Sequence, residues 1–481
     1  MKPYFLFIIF TAFSFLGYGQ KSKQINSIDN YIQNVIKMNE IPGLALGIVK
    51  NNQIIFEKYY GVEDLDSPKK VDKNSMFRIY STTKLISNVA VFQLIENGKI
   101  SLEDSISMYL ENLPTEWQNV KIKNLLSHSS GIPDFIQYND ISTLGSNQKI
   151  IDRLAKEKME FETGNEYRYN QTNYWLLAMI VEKITQQSFE DFILKNQFSD
   201  AQNQAILSSN SLEKIPNRVQ KYNRYDDATK KYTRDLTDEG KRSVAANGLA
   251  ITLPAFLKWS IHFSKNDFLK SETKRMMWKP FEYKNRTDFF GYGWEISRVN
   301  NIYSYGFSGG NVSAFKIFPD NDLTIIIMYN GNKSFPVQYQ AINHIAGLID
   351  PKLRDPYLFT EEAITSGNLI HSNAKKETYG YRIENGTIIF SYQLPGSLKT
   401  SEINSFSVAG SFNNWNPENQ SYQMAAKKGN TFELALPESQ FEKGKTYLFK
   451  FVMNKTGWLP TPNNVINTDG TPDNNLTLRI D

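Results

Sequence analysis

The chain has 481 residues, enough for two or three domains, and its 40% hydrophobic and 13% aromatic content allows real cores. Its 54 basic and 50 acidic residues leave a net charge of +4 and no basic run that would track a phosphate backbone, so nucleic acid is not an expected partner. Cysteine is absent, which excludes disulfides and lipid attachment at a cleavage-site cysteine.

At the start of the chain, Lys2, an apolar run over residues 4–16 and the small residues Gly17 and Gly19 describe a secretory signal peptide over residues 1–19. The run is too short to span a bilayer comfortably; a retained anchor helix is the alternative. The expectation is a periplasmic or secreted protein with no integral membrane segment after cleavage. Ile25, Ile28, Ile32, Val35 and Ile36 then recur at helical spacing, and residues 44–49 and 54–60 read as two strands joined at Asn51-Asn52.

The next stretch, Phe77-Arg78-Ile79-Tyr80-Ser81-Thr82-Thr83-Lys84, leads into residues 85–95, which are apolar nearly all round and so predict a central helix stopped at Asn97-Gly98. Ser81 stands at the start of that helix, with Lys84 three residues on and on the same face. This is the spacing of a Ser-Lys nucleophile pair, in which a lysine held neutral by burial takes the serine proton. The structural alternative is a serine N-cap with an incidental lysine.

Residues 122–126 predict a short helix closing on Ser127-His128-Ser129-Ser130-Gly131-Ile132-Pro133-Asp134, a loop by its Gly and Pro. A polar, aromatic loop over residues 161–174 precedes a helix at 175–184, and Pro254 starts a helix at 255–263. Strands follow near 294–299, 302–305, 313–318 and 323–329, then a helix at 338–349. Strands at both ends with helices between imply an α+β fold in which helices cover one antiparallel sheet. The domain spans residues 24–350. Residues 351–380 form a polar linker, and 381–481 alternate in short apolar runs separated by Gly, Asn and Pro turns, as in a small β-sandwich.

A second serine competes. Gly306-Phe307-Ser308-Gly309-Gly310 fits G-x-S-x-G, with Asp322 and His344 downstream, but that elbow needs a helix after the serine and the sequence there reads as strand. The four histidines, His128, His262, His344 and His371, are not spaced for metal ligation, so neither a metal nor another cofactor is expected.

Ser81-Thr82-Thr83-Lys84 with its helix, then 98–104 (Gly-Lys-Ile-Ser-Leu-Glu-Asp) and Leu125 to Ile132, resemble the serine β-lactamase-related superfamily. That superfamily includes class C β-lactamases, penicillin-binding proteins, D-aminopeptidases and esterases. The resemblance runs in order over about residues 24–350 and implies a β-lactamase/transpeptidase-like fold. It makes Ser81 the acylated nucleophile, Lys84 its base and Tyr169 the proton shuttle to the leaving group, a phenol expected to have its pKa lowered by Lys84. Gln171 stands where the second motif usually has Asn, and Phe307 stands where the third, Phe307-Ser308-Gly309, usually has Lys or His. The loss of that cation argues against efficient penicillin turnover and suits uncharged esters or amides. The backbone N–H groups of Ser81 and Gly310 would form the oxyanion hole.

In the C-terminal region, 408–417 (Val-Ala-Gly-Ser-Phe-Asn-Asn-Trp-Asn-Pro), 447–453 (Tyr-Leu-Phe-Lys-Phe-Val-Met), Trp458 and Asp473-Asn474-Asn475 resemble the glycogen-binding modules of the AMP-activated kinase β subunit and branching enzymes. The resemblance implies an immunoglobulin-like sandwich with a sugar platform of Trp415, Lys450, Trp458 and Asn474, and an α-glucan or cell-wall glycan as partner. A structural appendage is the alternative. Together these readings predict an exported serine hydrolase acting through an acyl-enzyme on a small-molecule, peptide or ester substrate. The alternative is a catalytically weakened scaffold that binds glycan.

Overall fold

The computed structural model describes residues 23–354 and 378–480, except 142–144, 202, 227–228, 285–289, 300–301, 334–336, 395–399, 401–402, 456, 460, 462–466 and 468–474. The signal-peptide expectation, most of the linker and Asn474 therefore lie outside the described residues. The chain divides into two compact units, Glu40–Lys333 and the remainder. Among the described residues no helix is long and apolar enough to cross a membrane.

The first unit is built on a six-stranded antiparallel sheet whose strands come from both ends of it. These are β1 (Gly43–Lys50), β2 (Gln53–Gly61), β3 (Glu295–Val299), β4 (Ile302–Gly309), β5 (Ser313–Phe318) and β6 (Leu323–Tyr329), in the order β2-β1-β6-β5-β4-β3. The β1–β2 hairpin turns on Asn51 and Asn52 at φ 51° and 58°, values that asparagine tolerates better than most residues. β1 and β6 pair in full register from Leu44↔Tyr329 to Lys50↔Leu323, and both are almost wholly buried, so the sheet centre reads as continuous apolar sequence.

Helix α1 (Thr83–Glu96) runs through the core with all but three of its residues buried, so it presents no polar stripe to solvent. Helix α2 (Gln171–Thr185) starts four residues earlier than the sequence implies, because the Asn170 side chain caps it by accepting from Asn173 N. Helix α3 (Leu253–Ser264) has the expected proline in its first turn and packs on β1, where a Cβ at Gly47 would fall 2.6 Å from Leu257. The short strand Met76–Arg78, which the sequence did not announce, pairs with Leu249–Thr252 and delivers the chain to Ser81.

In the second unit, helices over residues 23–38 and Val337–Ile349 pair through a stacked Tyr31–His344 contact at 4.1 Å and bonds from Gln24 to the Leu348 and Ile349 carbonyls. Its C-terminal part is a sandwich of two antiparallel sheets. One contains β7 (Tyr381–Glu384), β8 (Thr387–Gln393), β10 (Ala425–Lys427) and β11 (Thr431–Pro437); the other contains β9 (Phe406–Gly410), β12 (Thr446–Met453), β13 (Gly457–Trp458) and β14 (Leu476–Arg479). Alternate residues of β8 point inward, and Phe406 stacks on Phe432 at 4.5 Å across the two sheets.

Candidate active site

Ser81 sits in a single 3-10 turn, Tyr80–Thr82, directly before α1. The N-cap position belongs to Thr82, so the reading of Ser81 as a helix cap is not what the chain does. Ser81 is half-buried, and its Oγ accepts from the Tyr169 hydroxyl at 2.7 Å. Tyr169 precedes the Asn170 cap of α2, so the start of that helix sets where the phenol points.

Lys84 lies on the first turn of α1 and has no exposed surface. Its Nζ donates to Gln171 Oε1 and to the Ala246 carbonyl, both at 3.0 Å, and lies 4.7, 5.0 and 6.0 Å from the ring centres of Tyr169, Tyr174 and Phe307. Gln171 therefore still reaches the lysine despite its extra methylene. Burial pushes the Lys84 pKa down to about 7, against the pull of the Asp134 and Glu239 carboxylates. Near neutral pH a large fraction of it is free amine.

The hydrogen bonds of Lys84 run to Gln171 and Ala246, and the hydrogen bond to Ser81 Oγ comes from Tyr169. One expectation needs correction. The Tyr169 pKa is raised, not lowered: burial dominates, and the hydrogen bonds with Ser81 and Gln171 only partly oppose it. The physical reason is that Lys84 approaches the face of the ring, and a lysine that itself sheds its proton near pH 7 supplies little field to hold a phenolate.

Strand β4 brings up the third segment. Ser308 lies within it opposite Ala314, and the chain then turns into β5, so no helix follows Ser308 and the competing elbow fails. Gly309 is pressed against the nucleophile turn: a Cβ there would lie 2.0 Å from the Ile79 carbonyl oxygen and 2.8 Å from Ser81 N. Only glycine allows that approach. Phe307 is buried, 6.3 Å from Tyr169 and 6.2 Å from Phe290 between ring centres, so the place of the usual cation is filled by an aromatic wall.

Supporting residues escaped the sequence reading. Asp134, at the end of the Gly-Ile-Pro-Asp loop, accepts from the Gln171 backbone N–H at 3.0 Å and so anchors the residue whose side-chain oxygen accepts from Lys84; its own pKa is raised by burial. His128, fully buried, accepts from Asn170 N at 3.2 Å and packs 4.7 Å from the Tyr169 ring. Nothing in the local pattern marks the Ala246 carbonyl, since any residue supplies one. A cavity of about 480 Å³ opens on Gln171, with Phe135, Ile136, Tyr138 and Ile141 among its lining and Glu239, Arg242 and Asn247 among the rest. A larger one of about 860 Å³ shares only Arg242 with it, and neither cavity is lined by Ser81 or Lys84.

In the sandwich, Trp415 and Trp458 lie 6.1 Å apart between ring centres, tilted by 48°. Trp458 is 43% exposed and pairs with Val452, two residues along β12 from Lys450, so all three share one sheet face. Three of the four expected sugar contacts are thus on or beside one surface.

Residues 28–347 match the Beta-lactamase protein family. The chain belongs to that family. It is similar to Protein flp of Staphylococcus aureus (strain NCTC 8325 / PS 47), 29% identical over 172 residues. That match covers 34% of this chain and 34% of the relative, about a third of its length. Penicillin-binding protein 4* of Bacillus subtilis (strain 168) is 26% identical over 314 residues, covering 60% of this chain and 68% of that protein. In fold it is similar to the octameric penicillin-binding protein homologue from Pyrococcus abyssi (TM-score 0.62, 16% identity, 88% of this chain and 98% of that one). It is likewise similar to a penicillin-binding protein from Bacillus halodurans (TM-score 0.56, 19% identity, 66% and 98%).

Proposed function

We propose that this protein is an exported serine hydrolase that forms an acyl-enzyme through Ser81 on an uncharged ester or amide. The observation that carries the reading is the 2.7 Å contact between the Tyr169 hydroxyl and Ser81 Oγ, beside a buried Lys84 whose pKa is pushed down to about 7. With the phenol pKa raised, the base above neutral pH is the Lys84 amine, which serves the Ser81–Tyr169 hydroxyl pair as proton acceptor. Ser81 Oγ bonds to the acyl carbon, the bond to the leaving alcohol or amine breaks, and Tyr169 returns a proton to that group. Water then adds to the acyl carbon, the Oγ–carbon bond breaks, and the proton ends on Ser81 as the acid departs. The Ser81 N–H and the Gly310 N–H stabilise the charge on the acyl oxygen.

Phe307, a buried aromatic where a cation is usual, supports an uncharged acyl group over a carboxylate-bearing one, which leaves esterase or D-amino-acid peptidase chemistry ahead of β-lactam turnover. Export is supported by the basic, apolar and small-residue pattern of residues 1–19, and glycan targeting by the Trp415–Trp458 pair. Intact mass after a fluorophosphonate or penicillin probe should show one adduct, absent in Ser81→Ala; an adduct retained in that variant sinks the reading. A second reading, a weakened enzyme acting as a glycan-binding protein, is favoured by Phe307 alone. It requires no turnover of nitrocefin, p-nitrophenyl acetate or D-alanyl peptides together with retention on glycan, and rapid hydrolysis abolished by Lys84→Ala decides against it.

A further inference from the structure

The residue before Ser81 is in a backbone state that its type disfavours. Tyr80 has φ +46°, in the left-handed region, where a side chain with a Cβ is strained. Its side chain is correspondingly well held. The hydroxyl donates to Asp235 Oδ2 at 2.5 Å, and the Arg78 guanidinium and the Lys221 ammonium lie over the ring, 4.3 and 4.5 Å from its centre. Asp235 is itself buried and fixed, accepting from Ser211 Oγ at 3.2 Å and from the Thr237 hydroxyl at 2.6 Å, with Lys221 Nζ at 3.9 Å. The base of the side chain is pressed against Gly310, where a Cβ would fall 2.6 Å from Tyr80 Cγ.

One side chain therefore braces two backbone segments, the turn that carries Ser81 and the residue after Gly309. A serine turn left to relax to φ below zero would swing Oγ off Tyr169 and move Ser81 N from Gly309. We propose that Tyr80, clamped by Asp235, Arg78 and Lys221, is a positioning residue that holds the left-handed turn presenting Ser81 Oγ and aligns its N–H with that of Gly310. This rests on the reading of Ser81 as nucleophile. Tyr80 touches no reacting atom; it acts through the geometry of its neighbour.

The test is the rate of fluorophosphonate labelling in the full chain, where a Ser81 Oγ–phosphorus bond forms, fluoride leaves and the serine proton passes through the site base to solvent. Tyr80→Ala removes the clamp from a φ still strained for a residue with a Cβ, so the turn relaxes and the variant should label roughly tenfold more slowly. Tyr80→Gly takes a positive φ without steric cost and should recover most of that loss. Tyr80→Phe, which loses only the bond to Asp235, should lie between, with kcat for a small ester reduced and KM unchanged. Labelling of Tyr80→Ala at the wild-type rate, or of Tyr80→Gly as slowly as Tyr80→Ala, overturns the inference. If Tyr80→Ala does not fold, Tyr80→Phe decides: a fall in kcat at constant KM upholds it, an unchanged kcat overturns it. An adduct that survives Ser81→Ala marks a different failure, that of the nucleophile assignment itself.

Discussion

The Ser81 site and the Trp415–Trp458 surface differ in what each needs from the fold. Ser81, Lys84, Tyr169, Gln171 and Phe307 come from three segments far apart in the chain, and Lys84, Gln171 and Phe307 are buried. Their chemistry exists only when α1, α2 and β4 are all in place, because it depends on burial: the same lysine in water would keep its proton to the ordinary range. The sandwich surface sets one exposed ring, Trp458, beside the half-buried Trp415 of a nearby loop, and the glycan binding proposed for it would come from area and stacking, which survive small displacements. A site of the first kind should fail steeply when one atom is removed, and one of the second kind should weaken by degrees.

Removing the Ser81 hydroxyl tests the steep end. Ser81→Ala should reduce turnover of a small ester by at least about a thousandfold, since the covalent route is lost and only binding and polarisation remain. A smaller loss would mean that water attacks without an acyl-enzyme, and trapping of the intermediate by mass would show none in wild type either.

Lys84→Met, which keeps the volume, should cost between about a hundredfold and ten-thousandfold in kcat/KM. The sign of the pH dependence follows from the depressed pKa. The free amine is the base, so wild-type kcat/KM rises as pH increases through about 7, and Lys84→Met flattens that rise. Linkage gives an independent check: between about 7 and the ordinary lysine range the unfolded chain binds a proton that the folded chain does not, so stability rises with pH across that window. A kcat/KM that falls through pH 7 would remove Lys84 from the role of base.

Phe307→Lys tests whether the aromatic wall in place of a cation sets the substrate class. An ammonium there should shift preference toward a carboxylate-bearing D-alanyl peptide over a neutral ester by on the order of tenfold, the size of one charge-assisted hydrogen bond. It also places a second cation near Lys84 Nζ, now 6.0 Å from the Phe307 ring, and so should move the alkaline rise to lower pH. An unchanged preference would show that the aromatic wall does not set the substrate class.

Much of this was legible because the cues are local. The Asn51-Asn52 turn, the all-round apolar run of α1 and the alternation in β8 each name their element from a few adjacent residues, and the Ser81 to Lys84 spacing gives two functional groups at the entry to one helix. What was not legible depends on packing. Nothing near Tyr169 says that its phenol would be buried and its pKa raised, and nothing near Lys84 says that its donors would be taken by Gln171 and the Ala246 carbonyl. The start of α2 was missed because the Asn170 cap is flanked by polar and aromatic residues that also read as loop. The short strand Met76–Arg78 was missed because three residues carry no period.

The smallest expected effect belongs to the sandwich. Trp415 is held by its backbone, its N–H donating to the Gly410 carbonyl at 2.9 Å and its φ at +56°, so replacing the side chain should leave the loop path largely intact. What goes is one ring of a tilted pair whose other member, Trp458, remains exposed. Trp415→Ala should therefore weaken retention on glycogen or amylose by about fivefold, near 1 kcal/mol for one lost stacking face, while hydrolysis of a small soluble ester by the other unit is unaffected. Affinity gels with immobilised glycan read the first quantity and a chromogenic ester the second. Equal retention of wild type and Trp415→Ala would remove Trp415 from the sugar platform, and no retention of either would leave the sandwich without a glycan role and confine the protein's chemistry to the Ser81 site.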